Sequence, residues 1–157
     1  MNLQTDRLVL VLNSVDDVRK MIEQLSDDDR AEVSPIWLER ALAATEADPW
    51  FHGFQITLRE DGTKIGDAGF KGPPCHDGIV EIAYGIESGH QGRGFATEAA
   101  QALIDFARKS PAVSVVRAHT KPDGVASARV LTKCGFQFVG EVIDPEDGLV
   151  QRWDADA

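Results

Sequence analysis

The chain has 157 residues, 43 % of them hydrophobic, and a formal net charge of −10. That length and composition fit one globular domain with a real core, so residues 1–157 are read as a single domain. The acid excess argues against general nucleic-acid binding, which needs Lys and Arg against phosphate, and no apolar run approaches the length of a membrane span.

Leu3–Leu12 reads as a strand. The Ser14-x-x-Asp17 spacing is a capping box for a helix with Val18, Met21, Ile22 and Leu25 on one face. The acidic run Ser26–Glu32 reads as a loop. Ser34-Pro35 opens a second helix with Trp37, Leu38, Ala41 and Leu42 as its apolar stripe, and Asp48-Pro49 stops it. Residues 50–58 read as a strand, and Asp61-Gly62 turns it into a second strand over Lys64–Phe70. Gly72–Gly78 is a Pro-rich loop, and Ile79–Glu87 is the next strand. Thr97–Lys109 has helical periodicity, burying Ala100, Leu103, Ile104 and Ala107, with Arg108 and Lys109 at its negative end. Val113–Thr120 is a strand, Val125–Cys134 a short helix ended by Gly135, and Phe136–Val142 with Leu149–Trp153 a last hairpin. The order β-α-α-β-β-β-α-β-α-β-β is mixed, so the sheet cannot be purely parallel.

Cys75 and Cys134 make no disulfide framework, and His52, His76, His90 and His119 lack metal-ligand spacing. Free reduced thiols and no metal are the expectation. The N-terminus has no apolar signal-peptide core, which makes the cytoplasm the default location.

The segment from Glu81 to Ala99 carries most of the chemistry. It runs from a strand through a glycine turn into an alanine-rich helix. Gly92 and Gly94 lack Cβ, so the backbone can bend tightly and approach a ligand closely. A turn that opens a helix also presents unpaired N–H groups at the positive end of the helix dipole, which suits phosphate or pyrophosphate. Two rival phosphate loops fit less well. The dinucleotide fingerprint wants Gly or Ala where Thr97 stands, and no Gly-Lys-Ser/Thr tripeptide occurs. Glu81 interrupts an apolar strand that leads into this turn. A partly buried carboxylate there is the first candidate for a general base, acting through water, and His119 is the second.

Gln91-x-x-Gly94-x-Ala96 resembles the acetyl-CoA motif of the GNAT superfamily of N-acetyltransferases. Thr5-Asp-Arg-Leu-Val-Leu10, Val80-Glu-Ile-Ala-Tyr84 and Ala126-Ser-Ala-Arg-Val-Leu-Thr-Lys-Cys-Gly-Phe136 resemble the branch that acetylates ribosomal-protein N-termini. The resemblance implies an α/β (mixed α+β) fold, with a central sheet of about seven strands flanked by about four helices. It implies that this sheet splays between the fourth and fifth strands, 79–87 and 113–120, with the cofactor in the opening. It implies acetyl-CoA as co-substrate, held by Gln91, Gly92, Arg93, Gly94, Phe95, Ala96 and Thr97. The backbone of Tyr84 and Ile86 would line the pantetheine arm, and Gly85 is where the strand would distort. Ser127 would touch the cofactor or protonate the leaving thiolate, against its plain reading as a first-turn helix serine.

Two departures stand out. The family usually has Asn where this chain has Gly124, and Leu131 occupies the place of a tyrosine acid found in many members. The implied activity is acetyl transfer to a primary amine, on a small molecule or a protein N-terminus. A domain that binds acyl-CoA without efficient turnover is the alternative, and a nicotinamide enzyme is disfavoured by the failed fingerprint. The acceptor pocket is expected near Trp37, Trp50 and Gly72–Gly78, and the C-terminal hairpin is a place where another copy of the chain would pair.

Overall fold

Alternating apolar residues build the strands, and helices with one apolar stripe close over them. In a computed structural model covering residues 1–157, the strands are β1 (Asn2–Gln4), β2 (Leu8–Leu12), β3 (Phe54–Leu58), β4 (Lys64–Phe70), β5 (Ile79–Ile86), β6 (Val115–Thr120), β7 (Gln137–Asp144) and β8 (Gly148–Asp156). The helices are α1 (Val15–Glu23), α2 (Asp27–Glu32), α3 (Pro35–Ala43), α4 (Phe95–Arg108) and α5 (Val125–Lys133). The strands form one mixed sheet in the order β1-β2-β3-β4-β5-β6-β8-β7.

The counts exceed the expected seven strands and four helices for local reasons. The first strand breaks at Thr5–Arg7 and folds back, pairing Leu3 with Leu10. The Thr5 hydroxyl accepts the Leu8 N–H at 3.0 Å and so stabilises the turn. The acidic run expected as a loop forms α2, because Ser26 caps the Asp29 N–H at 3.1 Å and three aspartates meet the positive end of the helix. No residue of α2 is buried. Helix α4 starts at Phe95, two residues before its expected start at Thr97.

Helix α4 carries the main core. Phe95, Ala99, Ala100, Leu103, Ile104 and Ala107 are buried against Leu8, Leu10, Phe54, Ile56, Val80 and Ile82 of the sheet. Four alanines on that face let the helix lie close to the strands. Burying each Leu or Ile there contributes roughly 1.5–3 kcal/mol. Trp50, partly buried, packs against this core, its ring tilted 58° to Phe70 at 4.7 Å and to Phe106 at 5.2 Å between ring centres. Val18, Ile22 and Ala41 make a small separate cluster between α1 and α3.

The sheet opens where the family resemblance expects it. Strands β5 and β6 are parallel neighbours, but they pair only at Ile79–Val115, Val80–Val116 and Glu81–Arg117. Beyond Glu81 they diverge, and β5 runs on to Ile86 with β4 alone at its side. The hydrogen-bond register shows which backbone groups face the gap. Lys71 N–H donates to the Glu81 carbonyl at 2.9 Å, and Glu87 N–H to the Ile65 carbonyl at 2.8 Å. Odd-numbered residues of β5 thus turn their N–H and C=O toward β4. Tyr84 and Ile86, one step out of phase, turn theirs into the opening. Gly85 stays in register opposite Asp67, so no distortion is centred on it. The close approach lies opposite, at Gly66, where a Cβ would collide with the Gly85 carbonyl.

Candidate active site

The opening between β5 and β6 is a cleft of about 290 Å³, walled by Glu81, Ile82, Ala83 and Tyr84 from β5 and by Ala118, His119 and Thr120 from β6. Lys71 closes one side, Ser127 of α5 another, and Asp147 reaches in from the turn between β7 and β8. At the end of β5 the chain enters the glycine turn. Gly92 and Gly94 have φ of 77° and 82°, the left-handed region that glycine adopts at no steric cost. Gly94 is the N-cap of α4 and has no side chain to satisfy the helix start. Consequently the backbone N–H groups of residues 92–97 donate to no protein acceptor, the first intrahelical bond being Glu98 N–H to Gly94 O at 3.2 Å. Gln91 tethers the turn to the cleft, its Nε2 donating to the Ile86 carbonyl at 2.8 Å.

Glu81 and His119, separate candidates in the sequence, meet at the inner end of the cleft. Glu81 Oε2 lies 3.0 Å from Lys71 Nζ and 3.2 Å from His119 Nδ1, the latter contact not aligned as a hydrogen bond. Arg152 Nε donates to His119 Nε2 at 3.1 Å. A guanidinium N–H can only donate, so Nε2 contributes its lone pair and the ring proton sits on Nδ1, beside Glu81. The lone pair a base would use is therefore occupied, which ranks Glu81 above His119. Lys71 is half-buried. Burial opposes its charge, but the Glu81 hydrogen bond and the charges of Glu81, Asp147 and Asp144 outweigh burial and hold its pKa above the usual lysine value. Burial, with Cys134 adding to it, pushes the Tyr84 phenol upward, so that hydroxyl keeps its proton.

Ser127, on the first turn of α5, lines the cleft. Leu131, one turn further along, is fully buried in the core, so its position on α5 packs the fold. Gly124 is the N-cap of α5 and gives no side-chain cap; a Cβ there would sit 3.1 Å from the Lys121 carbonyl. Sequence reasoning missed Lys71, Arg152 and Asp147. Lys71 comes from just past the end of β4, beside Glu81 across the β4–β5 pair, whereas Arg152 and Asp147 come from the last hairpin, and the pairing of β6 with β8 sets Arg152 opposite His119. Cys75 is exposed, Cys134 is buried, and both are free.

A family model described as an acetyltransferase (GNAT) domain matches residues 4–137. The chain belongs to the GNAT acetyltransferase family. Among curated proteins it is similar to the "Uncharacterized N-acetyltransferase YjdG" of Bacillus subtilis strain 168, at 32 % identity across 58 % of this chain and 62 % of that protein. The chain thus spans about six-tenths of that relative's length. Among solved structures, RimL, a ribosomal L7/L12 alpha-N-protein acetyltransferase in complex with coenzyme A, superposes with a TM-score of 0.71 at 15 % identity, covering 99 % of this chain and 98 % of that one. The aminoglycoside acetyltransferase AAC(6')-Ib with coenzyme A and kanamycin gives 0.66 at 20 % identity, covering 95 % and 94 %. Both likenesses establish the fold. No helix of the chain is long and apolar enough to cross a membrane.

Proposed function

We propose that this chain transfers the acetyl group of acetyl-CoA to a primary amine, on a small molecule or a protein N-terminus, in the cytoplasm. One observation carries the reading: a strand edge without a partner strand at Tyr84 and Ile86, where only the Gln91 side chain reaches the Ile86 carbonyl, leads directly into the unpaired amides of residues 92–97. An extended arm with amide groups can pair with the first, and a diphosphate with the second.

Acetyl-CoA supplies an acyl group activated as a thioester. The protein's part is to hold it beside the amine and to move protons. The amides of residues 92–97 hold the diphosphate, and the backbone of Tyr84 and Ile86 aligns the arm along β5. Glu81 takes the proton of the attacking amine through water, with Lys71 keeping its carboxylate in place. Ser127, on the opposite wall, passes its proton to the departing thiolate and regains one from solvent water. Pairing with a second copy is assigned to edge strand β7, where Phe138, Val139 and Ile143 are exposed; a monomer mass by light scattering would remove that assignment.

The test is coenzyme A binding by calorimetry, followed by CoA release from acetyl-CoA across polyamines, aminoglycosides and N-terminal peptides. Amine-dependent release is expected. CoA binding with no amine-dependent release on any acceptor would favour the non-catalytic acyl-CoA-binding domain instead, and absence of CoA binding would remove both readings.

A further inference from the structure

Arg7 lies in the turn between β1 and β2, more than eighty residues before the glycine loop, yet its side chain converges on that loop. Its Nη1 donates to the Arg93 carbonyl at 3.0 Å. Its Nε donates to Glu98 Oε2 at 2.9 Å, and its own backbone N–H to Glu98 Oε1 at 2.7 Å. The guanidinium also covers the face of Phe95, with Cζ 4.4 Å from the ring centre. The Thr5 hydroxyl adds a further bond to Glu98 Oε1. One side chain thus ties together the residue before Gly94, the first residue of α4 and the carboxylate one turn into it.

We propose that Arg7 is a positioning residue for the diphosphate of the co-substrate, an inference that rests on the reading above. In a trans peptide the C=O and the following N–H point in opposite directions. Pinning the Arg93 carbonyl on the Arg7 side therefore aims the Gly94 N–H away from it, toward the unpaired amides that follow. Arg7 has a second effect. Glu98 sits in the first turn of α4, where its charge would oppose a bound diphosphate, and Arg7 compensates that charge. Gly94 fits the same arrangement, since a Cβ there would lie 3.3 Å from Arg7 Nη2. Only a planar fork reaches both the carbonyl and the carboxylate, so a lysine at this position keeps the charge and loses one of the two contacts.

The experiment compares two acetyl donors. Acetyl-CoA carries the diphosphate; S-acetyl-N-acetylcysteamine carries the same thioester without it. In Arg7→Ala, KM for acetyl-CoA and Kd for CoA should rise about tenfold or more, while kcat at saturation, KM for the amine and kcat/KM for the truncated donor stay near wild type. Arg7→Lys should recover part of the loss, and it carries the test alone if Arg7→Ala does not fold. Adding Glu98→Gln to Arg7→Ala should restore part of the affinity. Equal losses with both donors would assign Arg7 to the fold alone, and unchanged CoA affinity in both folded variants would overturn the proposal. Failure of wild type to bind CoA would instead overturn the reading on which it rests.

Discussion

Glu81 stands between Lys71 and His119 at the inner end of the cleft. Lys71 stands against the same oxygen that His119 faces, and Arg152 locks the imidazole tautomer from behind. Glu81→Gln keeps size and hydrogen-bonding capacity but removes the base. General-base assistance contributes about 10²–10⁴-fold, so the rate on a true acceptor should fall by that order while CoA affinity barely changes. The acidic limb of kcat/KM should disappear or move, and part of the rate should return at high pH, where more free amine exists. A wild-type rate with an unaltered profile would exclude Glu81. Gly94 provides the second residue-level test. Its φ of 82° strains any L side chain, and a valine there would also press on Arg7. Gly94→Val should weaken CoA binding at least about tenfold, near 1.4 kcal/mol; calorimetry on a folded variant with unchanged affinity would remove the loop from the binding site.

At the level of elements, α4, like α5, starts at a glycine with no side-chain cap. Its stability is drawn from β1 and β2 through Glu98, which Thr5 and Arg7 bind together. Burial works against the Glu98 charge, but hydrogen bonds from Thr5 and from the Arg7 backbone and side chain prevail, and its pKa falls below the ordinary 4.5. Because the folded value is the lower one, the unfolded chain binds more protons between the two. The contribution is complete above 4.5 and is lost as pH falls through the lowered folded value. In that window the melting temperature of wild type should drop more steeply with acid than that of Glu98→Gln. Parallel slopes would show that the contact adds no stability. The final hairpin is the other decisive element. Inserting β8 between β6 and β7 places Arg152 opposite His119 and brings the Asp144–Gly148 turn to the mouth of the cleft.

Across the whole molecule, the cleft exists because two parallel strands share only three residue pairs before they part. Hydrogen exchange reads this directly. CoA should slow exchange at the amides of Tyr84, Ile86 and residues 92–97 and leave those of β7 unchanged, because only the former face the opening. Protection confined to β7 or absent from β5 would contradict the placement.

Much of this was legible in the chain itself. The order of strands and helices, the helix caps at Ser14 and Ser34, the glycine turn at 91–97 and the carboxylate in β5 all depend on local spacing, on which backbone conformation and amphipathic periodicity act within a few residues. The break at Thr5–Arg7 and the helix at 27–32 were not, because a continuous apolar run hides a turn and an acidic run hides a capped helix. The meeting of Glu81 with His119 and the convergence of Lys71, Arg152 and Arg7 required the folded molecule. Those contacts join residues from ten to ninety-one positions apart, and strand register, which sets them, is an agreement between segments that neither segment carries alone.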